Sequence, residues 1–398
     1  MISTERRLRS HKVLSVCTNF PTRNRPTHGL FVGRRLSELS QLVELHMLVP
    51  QAYFPVLRPR PADSPLNGTD FPVTIQKMFY LPGIAKHWDG RWMERVVYRW
   101  IGRVANLDPK STLIDAHFGY PEGVGCYRVA KKLGIPLFVT VRGLETELME
   151  FPNIKSQMLE AYRYATGIIS VSESLKEMLI EHGVEAKKIK VIGNGVESEI
   201  YCPGNKASSR SELGVDISTK LIVALGNVQR RKGYDLLIEA IACYRDVSEF
   251  QCVILGGINE SATMASLKAR IEELGLKNRV RFTGQATPDV VVRWLRAADM
   301  FVLPTRREGC CNAVLEALST GIPVISTPAG DNTKFVSDGR NGFIVPHEDP
   351  KALRIAIQRS WDYPWDPKAI SESVHRYTWK GAAEQVVEYF QERLNAPR

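Results

Sequence analysis

A chain of 398 residues with 44% hydrophobic and 24% charged residues is too long for one core and too apolar for extended disorder, so two domains of ordinary size are expected. No apolar run approaches the roughly 18 residues of a membrane-spanning helix, and Val13–Cys17 has strand length, too short for a signal-peptide core. The formal charge of +10 is uneven: residues 1–110 hold 17 Lys/Arg against 8 Asp/Glu, a field suited to an anionic membrane surface or an acidic acceptor, with nucleic acid ranked last because no nucleic-acid motif occurs.

In chain order, strand-like runs Lys12–Cys17, Val43–Val49, Val73–Tyr80, Thr112–Ala116, Leu137–Val141, Gly167–Val171 and Ile189–Ile192 alternate with helical segments such as Leu30–Leu42, Gly123–Leu133 and Ser174–His182. This is the β-α-β pattern of a mainly parallel sheet covered on both faces. Pro203–Ser209 breaks the pattern as a linker would. A second series follows at Leu221–Leu225, Cys252–Leu255, Val280–Thr283, Met300–Leu303, Val324–Ser326 and Phe343–Val345, and Lys380–Leu394 reads as a closing helix. Two doubly wound domains in tandem predict a cleft lined by loops at the strands' carboxyl ends.

The loops carry the chemistry. Glu308 and Glu316 stand eight positions apart, with Asn312 as the expected N-cap of a helix Ala313–Ser319 and Gly321 as its stop. Free N–H groups at that helix start suit a phosphate, and two carboxylates about 12 Å apart if helical suit hydroxyls at both ends of a nucleotide sugar. Two solvated glutamates around an ordinary turn is the competing reading. Gly226-Asn227-Val228-Gln229-Arg230-Arg231-Lys232-Gly233 sets three cations between a strand and a helix, which suits a diphosphate; its order is not that of a Walker loop. Gly29 and Gly33, after the first strand, let backbone approach a ligand, with Arg34 and Arg35 nearby. His117 and Glu122 flank a loop after the fourth strand, as a proton carrier, a sugar contact or structural residues. Arg142 ends the next strand, where it meets an anion or forms a salt bridge with Glu145 or Glu147. In Trp88–Asn106, Trp88, Trp92, Val96 and Trp100 recur on one side and Arg91 and Arg95 on the other, so the helix lies on an anionic bilayer, lines an acceptor site, or packs in the core with a basic edge. Seven cysteines without Cys-x-x-Cys spacing read as reduced thiols of a cytosolic protein, with Cys310 and Cys311 as packing residues. No His/Cys cluster has ligand spacing and no Asp-x-Asp pair occurs, so no metal is expected, and no cofactor is expected.

Taken together, the motifs resemble glycosyltransferase family 4, the retaining enzymes of the GT-B fold. The resemblance rests on Phe20-Pro21 with Gly29-Leu30-Phe31-Val32, Asn194-Gly195-Val196, Arg231-Lys232-Gly233, Phe282-Thr283-Gly284, Glu308-x7-Glu316 and Gly321-Ile322-Pro323-Val324-Ile325, in that order over nearly the whole chain. The look is of bacterial transferases that build surface polysaccharides, including teichuronic-acid-type enzymes. It implies an α/β chain with a Rossmann-like acceptor domain at residues 1–200, rejoined by a helix at about 378–398, and a donor domain at 201–377. It implies a nucleotide-diphosphate sugar as donor and a glycan or lipid-linked acceptor, with the protein in the cytoplasm, peripheral on the membrane's inner face.

The resemblance also implies roles. Glu308 contacts the donor sugar, with Gly309, Cys310, Cys311 and Asn312 beside it; Glu316 binds the ribose; Lys232, helped by Arg231, stabilises the departing diphosphate. Gly29, Gly33, Asn227 and Gln285 complete the donor contacts. His117, Glu122 and Arg142 are acceptor-side candidates, and Glu308, Lys232 and Arg142 the expected catalytic set. Retention follows from front-face attack, the leaving phosphate helping to deprotonate the acceptor, with no metal required. Three departures stand out. Arg142-Gly143-Leu144-Glu145 replaces a frequent His-Gly-x-Asp, Gly226-Asn227-Val228 replaces Gly-Arg-Leu, and Thr333-Lys334 replaces Pro-Glu. They keep two alternatives open, a sugar-nucleotide epimerase of the same fold and a lapsed transferase acting as a binding subunit.

Overall fold

A computed structural model describes residues 11–54, 63–81, 83, 85–104 and 107–396. The chain divides into two units, Met1–Asn194 with Trp379–Arg398, and Gly195–Thr378. Each is built on one wholly parallel sheet.

In the first unit the strands are β1 (Lys12–Val16), β2 (Glu44–Tyr53), β3 (Val73–Phe79), β4 (Thr112–His117), β5 (Leu137–Val141), β6 (Gly167–Ser170) and β7 (Ile189–Val191), in the order β3-β2-β1-β4-β5-β6-β7. In the second they are β8 (Lys220–Leu225), β9 (Phe250–Leu255), β10 (Val280–Gly284), β11 (Met300–Leu303), β12 (Val324–Ser326) and β13 (Gly342–Ile344), in the order β10-β9-β8-β11-β12-β13. β4, β5, β11 and β12 are buried at every position, which is why their runs are continuous rather than alternating: helices cover both faces. In both sheets the winding reverses between two neighbours, β1 and β4 in the first and β8 and β11 in the second. At such a switch point the loops leaving the two strands diverge and open a crevice at their carboxyl ends.

Side chains set several helix starts. Ser172 caps the helix Glu173–Glu181, Asp349 the helix Pro350–Trp361 and Asp366 the helix Pro367–Glu372, the last two with proline in the first turn. The expected linker Pro203–Ser209 is corrected: Asn205 accepts from the Ser208 N–H and starts a helix Lys206–Leu213. Arg210 anchors it, buried, by donating to the carbonyls of Ala297 and Ile217 and to Asp299. The helix expected over Trp88–Asn106 runs Asp89–Ile101, after a short turn Lys86–Trp88; residues 105 and 106 lie outside the described residues. Its buried side is Met93, Val96, Val97, Trp100 and Ile101, while Trp88 is 45% exposed.

The helix Trp379–Asn395 belongs to the first unit, where it packs against the helix Leu30–Ser40. Phe390 sits 4.4 Å from Phe138 of β5, Tyr389 donates to the Lys188 carbonyl and Arg393 to that of Thr166. Among the described residues no helix is long and apolar enough to cross a membrane.

Candidate active site

The second unit gathers its charged groups at its switch point. β8 ends at Leu225, and after Gly226 the chain makes a short turn at Arg230–Lys232 before the helix Tyr234–Ile241. β11 ends in the loop that carries Thr305 and Glu308. Because β8 and β11 are neighbours, residues some 76 positions apart meet: Lys232 Nζ lies 2.6 Å from Glu308 Oε1, and Arg231 Nη1 lies 3.1 Å from Oε2. Thr305 Oγ1 donates to Glu308 Oε1 at 3.0 Å, a contact that sequence reasoning missed because nothing marks a lone threonine. Two joints hold the loops together. Arg306 N donates to the Arg231 carbonyl at 2.7 Å, and Gly233, at φ 69°, lies so close to Pro304 that a Cβ would come within 2.0 Å of its carbonyl oxygen. Only glycine fits both conditions there. The Glu308 side chain is 7% exposed and that of Arg231 36%. Burial works against the Glu308 charge, but Lys232 and Arg231 outweigh it and keep the carboxyl below its ordinary range.

Glu316 is buried on the helix Asn312–Ser319. That helix starts one residue earlier than expected. Cys311, not Asn312, holds the cap position, and without a side-chain cap. The expected row of free amides is shortened: at the helix start the Asn312 N–H donates to the Cys310 carbonyl and that of Val314 to the Cys311 carbonyl. All seven cysteines are free thiols; Cys311 is buried in the second unit's core and Cys310 packs against it beside Gly309. Asn227, expected as a donor contact where the family frequently has arginine, accepts from the Gly257 N–H at 3.0 Å and so ties the β8 loop to the β9 loop. Gln285 is exposed just beyond β10.

In the first unit Gly29 stands at φ 66° before the helix Leu30–Ser40, so close to Asn19 that a Cβ would lie 2.0 Å from its carbonyl oxygen; Gly33 faces Pro21. Arg142, at the end of β5, is buried and donates to His117 Nδ1 and Asn194 Oδ1, with its guanidinium 5.2 Å from the Phe31 ring centre. Burial, and then Arg35, lower its pKa to about 9. Of the readings open for Arg142, a salt bridge with Glu145 is not the one formed: Glu145 accepts the backbone N–H groups of Arg142, Gly143 and Gly119.

His117 and Glu122, expected on the acceptor side, are both buried and turned toward protein partners. The fourth strand is covered on both faces, so its last residue is enclosed as well. His117 faces Arg142 and Asp115; Glu122 accepts from the Thr18 N–H and hydroxyl. Burial pushes the Glu122 carboxyl up to about 7, against the two Thr18 hydrogen bonds. Asp115 and Arg35 were not singled out for this cluster. The Asp-x-His spacing, which puts both side chains on one face of a strand, was the available signal.

The basic edge of the helix Asp89–Ile101 is at the surface: Arg91 stacks on Trp88 at 4.7 Å and Arg95 on Trp92 at 4.5 Å, with Tyr98 50% exposed. Other cations of the basic N-terminal region, including Arg6, Arg7, Arg9, Arg58 and Arg60, lie outside the described residues. Among the described residues no group of three or more His, Cys, Asp or Glu is gathered as a metal ion would require.

With this geometry in hand, comparison with known proteins is direct. Residues 32–200 match the model of Glycosyltransferase Family 4, and residues 219–362 that of Glycosyl transferases group 1. The D-inositol 3-phosphate glycosyltransferase of Acidothermus cellulolyticus is 27% identical over 71% of this chain and 67% of its own length. Mannosylfructose-phosphate synthase of Agrobacterium fabrum is 26% identical over 100% of this chain and 92% of its own. The match to the Corynebacterium glutamicum D-inositol 3-phosphate glycosyltransferase, at 30% identity, spans only 47% of that relative. Among solved structures, sucrose-phosphate synthase from Thermosynechococcus elongatus superposes with a TM-score of 0.77 at 18% identity, covering 96% of this chain and 98% of that one. Anabaena HepE, in complex with UDP and glucose, gives 0.76 at 20% identity over 96% and 100%. Two parallel Rossmann-like units and two matching models that together span most of the sequence lead to one conclusion: the chain is a GT-B glycosyltransferase and belongs to glycosyltransferase family 4.

Proposed function

We propose that the chain transfers a hexosyl group from a nucleotide-diphosphate sugar to an anionic glycan or lipid-linked acceptor, with retention of anomeric configuration, in the assembly of a surface polysaccharide. The observation that carries the donor half is the cluster of Glu308 with Lys232 and Arg231 at the switch point of the second unit. A diphosphate arriving there meets two cations on a preorganised turn, and they take up the charge that develops as the sugar–phosphate bond breaks. Glu308 is then released to the sugar hydroxyls and Glu316 serves the ribose. No metal is assigned a step. HepE, solved with UDP-glucose, supports a UDP donor.

Acceptor recognition is assigned to the first unit through Arg142, with the basic, aromatic edge of the helix Asp89–Ile101 resting on the inner face of an anionic membrane. A small phosphorylated acceptor is the second reading, favoured by the phosphorylated compounds in the names of the two relatives.

The test is incubation of purified protein with UDP- and GDP-sugars and panels of lipid-linked, phosphorylated and neutral acceptors, with the product anomer read by NMR. An α-configured donor should give an α-glycoside. An inverted product overturns retention, donor consumed without any glycoside favours an epimerase, and an inert protein that still binds nucleotide favours a binding subunit.

A further inference from the structure

Arg142 donates to an imidazole, an unusual partner for a residue read as an anion contact. Its Nε and Nη2 lie 3.3 and 3.0 Å from His117 Nδ1. A guanidinium has donors only, so Nδ1 presents its lone pair and the ring carries its proton on Nε2. Nε2 in turn lies 3.1 Å from Asp115 Oδ2, close enough for electrostatic attraction although the angle falls short of a hydrogen bond. Ser15 donates to the same oxygen from the paired position on β1. Arg35, buried on the helix Leu30–Ser40 and without a hydrogen-bond partner among the described residues, adds positive charge beside Asp115.

The backbone at this point is held firmly. Phe118 takes φ 77°, an unfavourable value for a bulky residue, and its N–H is tied to the Thr140 carbonyl while that of Gly119 is tied to Glu145. Burial is the largest influence on His117 and pushes the imidazole down to about 4; Asp115 opposes it, and Arg142 and Arg35 add to it.

We propose that Asp115 and His117 are positioning residues for Arg142: Asp115 keeps the imidazole proton on Nε2, which leaves Nδ1 as a permanent acceptor that sets the plane and aim of the guanidinium. The inference deepens the reading of Arg142 as the anion contact of the first unit, and rests on it for its catalytic consequence. It also gives an unusual geometry a task. A histidine that cannot be protonated near neutral pH is of little use as a general base, but it is a dependable acceptor.

The test needs no substrate. In protein labelled with 15N-histidine and 15N-arginine, His117 should appear at pH 7 as the neutral Nε2–H tautomer, and the Arg142 Nε–H, assigned by its absence in Arg142→Lys, as an exchange-protected signal. Asp115→Asn does not touch Arg142, yet it offers an amide donor to Nε2 and permits the opposite tautomer, whose Nδ1–H repels the guanidinium. Protection of the Arg142 Nε–H should fall about tenfold in that variant and in His117→Ala, as expected for one lost hydrogen bond, and survive in His117→Asn, whose amide oxygen can replace Nδ1. Full protection in Asp115→Asn, or a His117 proton on Nδ1, overturns the proposal. Because His117→Ala opens a cavity at a fully buried central strand and puts folding at risk, the Asp115→Asn result decides. With UDP-glucose and D-inositol 3-phosphate as probes, Asp115→Asn should raise the acceptor KM about tenfold and leave the donor KM alone; an equal rise in both overturns the positioning role. Absence of turnover in the wild type counts against this donor and the small phosphorylated acceptor, and the spectra still decide the positioning.

Discussion

Replacing Glu308 by Gln should move nucleotide binding and turnover in opposite directions. In the resting chain the Glu308 carboxylate accepts from Lys232 at 2.6 Å, Arg231 at 3.1 Å and Thr305 at 3.0 Å. Glutamine can keep Oε1 toward Lys232 and Thr305, but it then turns an amide N–H toward Arg231, donor against donor. The variant therefore loses one charge-assisted hydrogen bond and the negative charge that both cations share. Such a bond contributes about 1.5–3 kcal/mol, so a free nucleoside diphosphate, no longer competing with Glu308 for Arg231, should bind about ten- to a hundredfold more tightly. Sugar transfer should disappear, since the carboxylate is no longer there to engage the donor sugar. The assay is titration calorimetry with UDP and GDP beside a product assay. Unchanged or weaker binding of both nucleotides would refute the competition between Glu308 and phosphate, and near-wild-type turnover would refute its role in transfer.

The remaining expectations concern the other groups. Lys232→Ala should weaken UDP or GDP binding by about 1.5–3 kcal/mol, and equal calorimetric affinity would remove Lys232 from the phosphate site. Glu122 titrates near 7 when folded and at its ordinary 4.5 when unfolded, so its contribution to stability is present below 4.5 and is lost as pH rises through 7. Glu122→Gln keeps both Thr18 hydrogen bonds and should raise stability at pH 8 by up to about 3 kcal/mol while changing little at pH 4; parallel urea curves at the two pH values would disprove the burial of a charge. Phe390→Ala, at a fully buried ring against Phe138, should cost about 3–5 kcal/mol in the first unit, measured by denaturation. Arg91→Glu with Arg95→Glu should lower binding to phosphatidylserine vesicles at least about tenfold, at roughly 1 kcal/mol per charge; salt-independent binding, or none in the wild type, would end the membrane assignment.

Much of the fold was legible because parallel interior strands leave uninterrupted apolar runs, and these located β5, β11 and β12 to the residue. The helix Lys206–Leu213 was hidden for a physical reason. Its sequence is polar, and what holds it is a buried arginine bonded to the Ala297 carbonyl, 87 residues away. Glu308 and the Arg-Lys turn were each visible, but their contact depends on β8 and β11 being neighbours in space, which local pattern does not encode. Burial of His117 was signalled only by the Asp-x-His spacing, because a strand covered on both faces shows no solvent side, and Glu122 lies beyond the strand in the turn Gly119–Gly123, whose inward packing no local pattern marks. Loop length and composition mark where chemistry can occur; which loop residues turn inward is decided by packing against distant elements.

The helix Trp379–Asn395 has a consequence for how the molecule is made. Sequence-wise the second unit interrupts the first, since the chain passes between them at Asn194–Gly195 and again at Thr378–Trp379. The ring of Phe390 and the hydroxyl of Tyr389 close the first unit's core, so during synthesis that core stays open until all of the second unit has been translated. The second unit, contiguous and self-contained, can close first. The usual order, in which the amino-terminal domain folds before its successor, is thereby reversed, and the exposed β5–β6 face of the nascent chain is where a chaperone would be needed longest.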